Sequence, residues 1–80
     1  MSVFPIRSPL PGIFYRRPAP DAAPFKADGA AVAAADIIGL IEVMKSFHEV
    51  PAGVVGRSIT FLVENEEPIM AGQVIAEVLP

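Results

Sequence analysis

Cysteine is absent from the 80 residues, which excludes disulfides, thiolate metal sites and cysteine nucleophiles, and leaves no sign of an oxidising compartment. Histidine occurs once, as His48, so a metal cage would have to be assembled mainly from carboxylates, and none is expected. Charge is sparse and slightly acidic, with a net value of −3. The cations Arg7, Arg16, Arg17, Lys26, Lys45 and Arg57 are scattered, apart from the adjacent pair at 16 and 17, which argues against nucleic acid as a partner. The first residues lack the charged-then-apolar layout of a signal peptide, and no apolar run approaches the length that spans a bilayer. The expectation is a soluble, cytoplasmic chain with no membrane partner. A domain of this size buries only about 60% of the surface its unfolded chain exposes. No large internal active site is therefore expected, and function should sit on the surface of one domain spanning residues 1–80.

What the chain has in quantity is turn chemistry. Nine prolines and six glycines cut it into short pieces, which suits a small all-β domain better than a helical bundle. Residues 27–47 point the other way. Asp28 is a plausible N-cap, and Ala30, Ala31, Ala33, Ala34 and Ala35 favour helix by intrinsic propensity. The unbroken run Ile37, Ile38, Gly39, Leu40, Ile41 weakens that reading, because a surface helix needs a polar face.

An internal repeat decides between the two. At an offset of 37 residues, Val32, Ile37, Ile38 and Ile41 fall on Ile69, Val74, Ile75 and Val78, and Val43 falls on Pro80. A sequence that repeats its apolar positions is expected to repeat its fold. Pro68 cannot propagate a helix and Glu77 to Pro80 reads as a terminal strand, so the strand reading transfers back onto Ile38 to Met44. At an offset of 44 residues, Gly12 falls on Gly56 and Tyr15 on Ile59, ahead of the alternating strand Ile59 to Val63. The two offsets differ by seven residues, which places an insertion at about 17–23 in the first half. Pro18 and Pro20 fix φ there and remove backbone donors, so the insertion reads as a stiff protruding loop.

Taken alone, Lys45 behind Met44 is a turn residue after an apolar strand, and Met44 reads as core filler. Within the repeat it becomes an exposed amine at the tip of a hairpin, about residues 42–48, where a group could be attached covalently. A lysine amine in water is mostly protonated at neutral pH and does not acylate itself, so such attachment needs a dedicated enzyme. His48 reads as a polar strand residue, having no nucleophile or second ligand to work with. Glu64, Glu66 and Glu67 read as a solvated turn. Phe14, Tyr15, Phe25, Phe47 and Phe61 read as core or rim packing, and Gly12, Gly53 and Gly56 as turn or bulge residues. No constellation for catalysis is present, so the chain is not expected to be an enzyme.

Four segments together carry a family resemblance over nearly the whole chain: Ser8 to Arg16, Ala19 to Ala22, the trio Gly29, Val32 and Asp36, and Glu42 to Lys45. They closely resemble the biotinyl domain of the biotin carboxyl carrier proteins of acetyl-CoA carboxylase, within the biotinyl/lipoyl attachment family. The resemblance implies a flattened β-barrel of two four-stranded antiparallel sheets with pseudo-twofold symmetry. It implies that the insertion, with Pro18, Pro20 and Asp21, is the protruding thumb of acetyl-CoA carboxylase carriers. It also implies biotin bound covalently to Lys45 by a biotin protein ligase that recognises the turn through Glu42 and Met44. The biotin would then be carboxylated by biotin carboxylase and would deliver its carboxyl group to acetyl-CoA at a carboxyltransferase, giving malonyl-CoA for fatty acid synthesis. Val43 and Ser46 depart from the small residue and the methionine usual at those places, and Arg17 stands where the thumb often begins with a hydroxyl residue. A lipoyl carrier on the same fold is the alternative, disfavoured by Met44 and by the thumb. An unmodified β-barrel serving as an interaction module is another. Relatives of this kind commonly have an N-terminal segment and an Ala/Pro-rich linker ahead of the domain, whereas Val3 to Arg7 here reads as the first strand.

Overall fold

The computed structural model describes residues 2–80, and among them there is no helix. Seven strands form: β1 (Phe4–Arg7), β2 (Gly12–Tyr15), β3 (Ile37–Val43), β4 (Ser46–Pro51), β5 (Ser58–Phe61), β6 (Glu67–Ile69) and β7 (Val74–Leu79). They make two antiparallel sheets, one ordered β1-β7-β5 and the other β4-β3-β2-β6. The alanine-rich segment contributes turns, not a helix, because each apolar residue near it is needed in a strand. Ile38 and Ile41 of β3 and Ile75 and Val78 of β7 are all fully buried. With Phe14 and Ile59 they form the centre of the core between the sheets, and each such side chain contributes about 1.5–3 kcal/mol by leaving water.

The repeat is present in atomic detail. The carboxylate of Asp36 accepts from the Ala33 amide at 2.9 Å, and the side-chain oxygen of Gln73 accepts from the Met70 amide at the same distance. Asp28 caps the Phe61 amide while Asn65 caps that of Arg16, at 2.9 and 2.7 Å. Gly29 and Glu66, both with positive φ, donate to the carbonyls of Ile59 and Phe14, each at 2.7 Å. The glycines at the repeat's other anchor are equivalent as well. A Cβ on Gly12 would collide with the Glu42 carbonyl and Ile41 Cγ2, and one on Gly56 with the Leu79 carbonyl and Val78 Cγ1. Gly12 and Gly56 therefore serve a close approach of backbones, whereas Gly53 takes a positive φ of 72°.

These equivalences refine the offsets. Ile59 matches Phe14 and not Tyr15, because Gly56 and Ile59 are one residue further apart than Gly12 and Phe14. The insertion between Arg16 and Ala27 is consequently eight residues, one more than the offsets alone give. The same extra residue explains why the smaller sheet shows three strands and not four. Counterparts of the β2–β6 pairing survive as a Val32–Gly56 bridge and a 3.0 Å bond from the Ile59 amide to Ala30, but the added residue interrupts the ladder between them, as a bulge does.

The inserted loop is fastened at its root. The Phe25 amide donates to Arg16 at 2.9 Å and the Ala22 amide to Ala19 at 3.1 Å, while Arg17 Nη1 donates to the Ala22 carbonyl at 3.1 Å. The Arg16 guanidinium lies over the Phe61 ring, 4.1 Å from its centroid, and 3.6 Å from Asp28. Arg16 and Arg17 are therefore spent on internal contacts and do not form a basic patch. Lys26 is held between Asp36, at 3.0 Å, and the Ala31 carbonyl, at 3.1 Å.

Two expectations follow. Gly12→Ala and Gly56→Ala should each destabilise the domain by about 1–3 kcal/mol, and to a similar degree, read as a shift of the urea midpoint at unchanged slope. Very different costs would mean that the two crossings are not equivalent. The Asp36 carboxyl is held below its ordinary value first by the Ala33 amide and then by Lys26. A depressed native value stabilises the fold above the unfolded-state value of about 3.9, and that contribution is lost as pH falls through the native value. Asp36→Asn should therefore lower stability at neutral pH and flatten the acid limb of a stability–pH profile; an unchanged acid limb would show that Asp36 contributes nothing to it.

Candidate functional site: the lysine hairpin

Strands β3 and β4 pair from Ile37 with Pro51 up to Val43 with Ser46, leaving a loop of Met44 and Lys45. Their φ values are 49° and 67°. Positive φ at both loop residues is the mark of a type I′ turn, whose twist matches that of the flanking strands. Asn-Gly is the low-cost choice for this turn, and bulky residues there store strain. The foot of the loop is tied down, because Val43 packs against the core cluster. Above it, Met44 is 93% exposed. Lys45 is also exposed, and no hydrogen bond or ion pair engages its amine among the described residues. The contrast with Lys26, the chain's other lysine, is complete.

One flank of the hairpin is braced by β2. The Tyr15 hydroxyl donates to Glu42 Oε1 at 2.8 Å, and its ring lies 5.8 Å from that of Phe47, inclined at 59°. The hydroxyl is pushed above the ordinary tyrosine value, first by this hydrogen bond, then by burial and by the charges of Glu42 and Glu66. Beside the brace, the inserted loop overhangs the outer face of the sheet and leaves a cleft of about 160 Å³. Arg17, Pro18 and Pro20 line it from the loop, and Tyr15, Leu40 and Phe47 from the sheet.

Glu42, Met44 and Lys45 thus share one hairpin, as their spacing implies. Pro18 and Pro20 line the cleft next to it, whereas Asp21 is an exposed loop residue outside that lining. Phe47, expected in the core or its rim, is 58% exposed: β4 is an edge strand, and Phe47 lies on its outer face. Tyr15 and Phe47 were legible as aromatics but not as partners of the hairpin. The available signal was the alternation in β2, which turns Phe14 inward and so Tyr15 outward. His48 is exposed on β4. Among the described residues, no group of three or more His, Cys, Asp or Glu side chains could hold a metal ion.

A rigid small barrel that offers one unpartnered amine at a two-residue turn has the form of an attachment domain for a covalently carried group. Comparison with known proteins agrees. The family model for biotin-requiring enzymes matches residues 5–78, and the chain belongs to that family. Over 67 residues it is 42% identical to the biotin carboxyl carrier protein of acetyl-CoA carboxylase from Chlamydia pneumoniae, covering 84% of this chain and 40% of that protein. For the protein of the same description from Nostoc sp. the identity is 37% over 75 residues, 94% of this chain and 41% of the relative. The chain therefore spans about two fifths of the length of these relatives. Among solved structures, Kluyveromyces lactis urea carboxylase superposes with a TM-score of 0.77 at 26% identity, over 99% of this chain and 6% of that one.

Since the turn demands positive φ, Met44→Asn should stabilise the isolated domain by about 0.5–1 kcal/mol, asparagine tolerating the left-handed region better than methionine. Thermal and urea unfolding of the pair would show it; a loss of stability would mean that the Met44 side chain makes a favourable contact at the tip.

Proposed function

We propose that this chain is a biotin carrier in which Lys45 is the attachment residue, serving an acetyl-CoA carboxylase. The observation that carries the reading is the difference between the two lysines. The Lys45 amine stands free at the tip of a braced turn, while that of Lys26 is engaged by Asp36 and Ala31. Among the described residues, an acylating enzyme meeting this surface finds one lysine amine that no partner holds. In the attachment step, catalysed by a biotin protein ligase, the deprotonated amine attacks the activated carboxyl carbon of biotin. A C–N amide bond forms, the activating phosphate ester leaves, and the proton passes to a base of the ligase or to solvent. The side chain loses its charge and becomes a flexible tether.

Biotin supplies the ureido nitrogen that can hold a carboxyl group between two reaction sites. The protein contributes position. The paired stem fixes the origin of the tether, and tethering raises its effective concentration at each partner, here a biotin carboxylase and a carboxyltransferase that passes the carboxyl group to acetyl-CoA. The chain's own residues carry and do not catalyse. Glu42 and Met44, on the hairpin, shape the turn that the ligase meets. Pro18, Pro20 and Arg17 form the wall of the cleft against which the tether can rest. A lipoyl cargo is not favoured, since the relatives described above are biotin carriers. Among the described residues no helix is long and apolar enough to cross a membrane.

The test is co-expression with a biotin protein ligase followed by intact-mass measurement. A gain of one biotinyl amide is expected in the wild type and in Lys26→Arg, and none in Lys45→Arg. A gain that persists in Lys45→Arg, or no gain in a folded wild-type chain, overturns the reading.

A further inference from the structure

The Glu42 carboxylate is not a free charge. It already accepts the Tyr15 hydroxyl at 2.8 Å, and Tyr15 touches both arms of the hairpin at once. It stands opposite Leu40 in the β2–β3 register and reaches diagonally to Glu42, two residues nearer the tip. Its ring meets Phe47, the residue paired directly with Glu42 across the β3–β4 ladder. Only one further pair, Val43 with Ser46, separates this cross-brace from the strained Met44-Lys45 turn. On the outer face of the sheet, Tyr15 is thus the side chain that ties the hairpin stem to the strand behind it.

We infer that Tyr15 is a positioning residue for modification of Lys45, and that Glu42 acts on that reaction through Tyr15, by holding the turn, and not by offering its charge directly to the modifying enzyme. This rests on the biotin-acceptor reading above. A turn with two bulky residues at positive φ has lower-energy alternatives to relax into, and relaxation would move the amine at the tip. The brace removes that freedom where it matters for attack, so its loss should appear in kcat more than in KM. Direct recognition of a carboxylate by the ligase would do the reverse.

The distinguishing experiment is a double-mutant cycle on the rate of Lys45 biotinylation with Tyr15→Phe, Glu42→Met and both together, methionine keeping the length of the side chain without an acceptor for the hydroxyl. Tyr15→Phe keeps the ring on Phe47 and removes only the hydroxyl, so the fold is retained; thermal unfolding confirms this for each variant. Each single change is expected to lower kcat about three- to tenfold, the range of one hydrogen bond, and the double variant should be no worse than the poorer single one. Losses that multiply in the double variant, or a Tyr15→Phe rate equal to wild type, overturn the inference while leaving the carrier reading intact. Hydrogen exchange at the Val43 and Ser46 amides, the last pair of the ladder below the turn, reports on the brace without the ligase. It should quicken in all three variants alike, and unchanged exchange overturns the inference. A wild-type chain that is exchange-protected at this pair yet never biotinylated refutes the carrier reading instead.

Discussion

The barrel depends on two places where one stretch of backbone lies against another with no side chain between them. At Gly12 the chain entering β2 lies against the Glu42 carbonyl, and at Gly56 the chain leading to β5 lies against that of Leu79. Any side chain at either glycine would push the strands apart. The space that the glycines save lets Phe14 and Ile59 descend to the same depth in the core, where both are fully buried. Gly39 completes the fit on one side, since a Cβ there would stand 2.5 Å from the Phe14 ring. Its repeat counterpart is Ala76, in the half where the smaller Ile59 takes the place of Phe14. The two halves thus share a backbone plan and differ where the aromatic ring needs room.

This packing is what turns a flexible hairpin into a fixed one. β3 lies between β2 and β4 in its sheet, and its inward residues Ile38 and Ile41 are locked in the core. The stem therefore cannot twist independently of the barrel, and only the turn projects. Symmetry supplies the frame, but the useful features are the departures from it. The eight extra residues occur in one half only, so one sheet face has an overhanging loop and a cleft while its counterpart has the two residues Leu62 and Val63.

The sequence made the strands, their pairing into a repeated unit and the hairpin lysine legible, because each rests on a short-range pattern: apolar spacing, prolines at turns, a Met-Lys pair at the end of an apolar run. Local propensity fails in residues 27–36, where six alanines favour helix but the segment supplies turns and the single bridge at Val32. What was not legible depends on distances between chain segments. The one-residue difference between Gly12–Phe14 and Gly56–Ile59 shows only through the hydrogen bonds of its neighbours. The link from Tyr15 to Glu42 crosses 27 positions, and the exposure of Phe47 follows from β4 being an edge. None of these leaves a periodic trace.

Strain is distributed in a way that bears on function. Among the described residues three that are not glycine have positive φ, and they fall into two kinds. Glu66 takes the place that Gly29 holds in the other half, and its amide is repaid by a 2.7 Å bond to Phe14. Met44 and Lys45 have no such compensation from bonds of their own side chains, and strain of this kind costs of order 1–3 kcal/mol per residue. For a small domain with a net stability of about 5–10 kcal/mol that is a substantial share, and a turn of Asn-Gly would avoid most of it. The strain is concentrated at the tip from which the Lys45 amine projects, and the stem below is supported on both faces, by burial of Ile41 on one and by the contact of Tyr15 with Phe47 on the other. Strain at the tip by itself favours rearrangement of the turn, so it is the stem that keeps the turn in place. That support reaches to within one residue pair of the turn, through Glu42 and its partner Phe47.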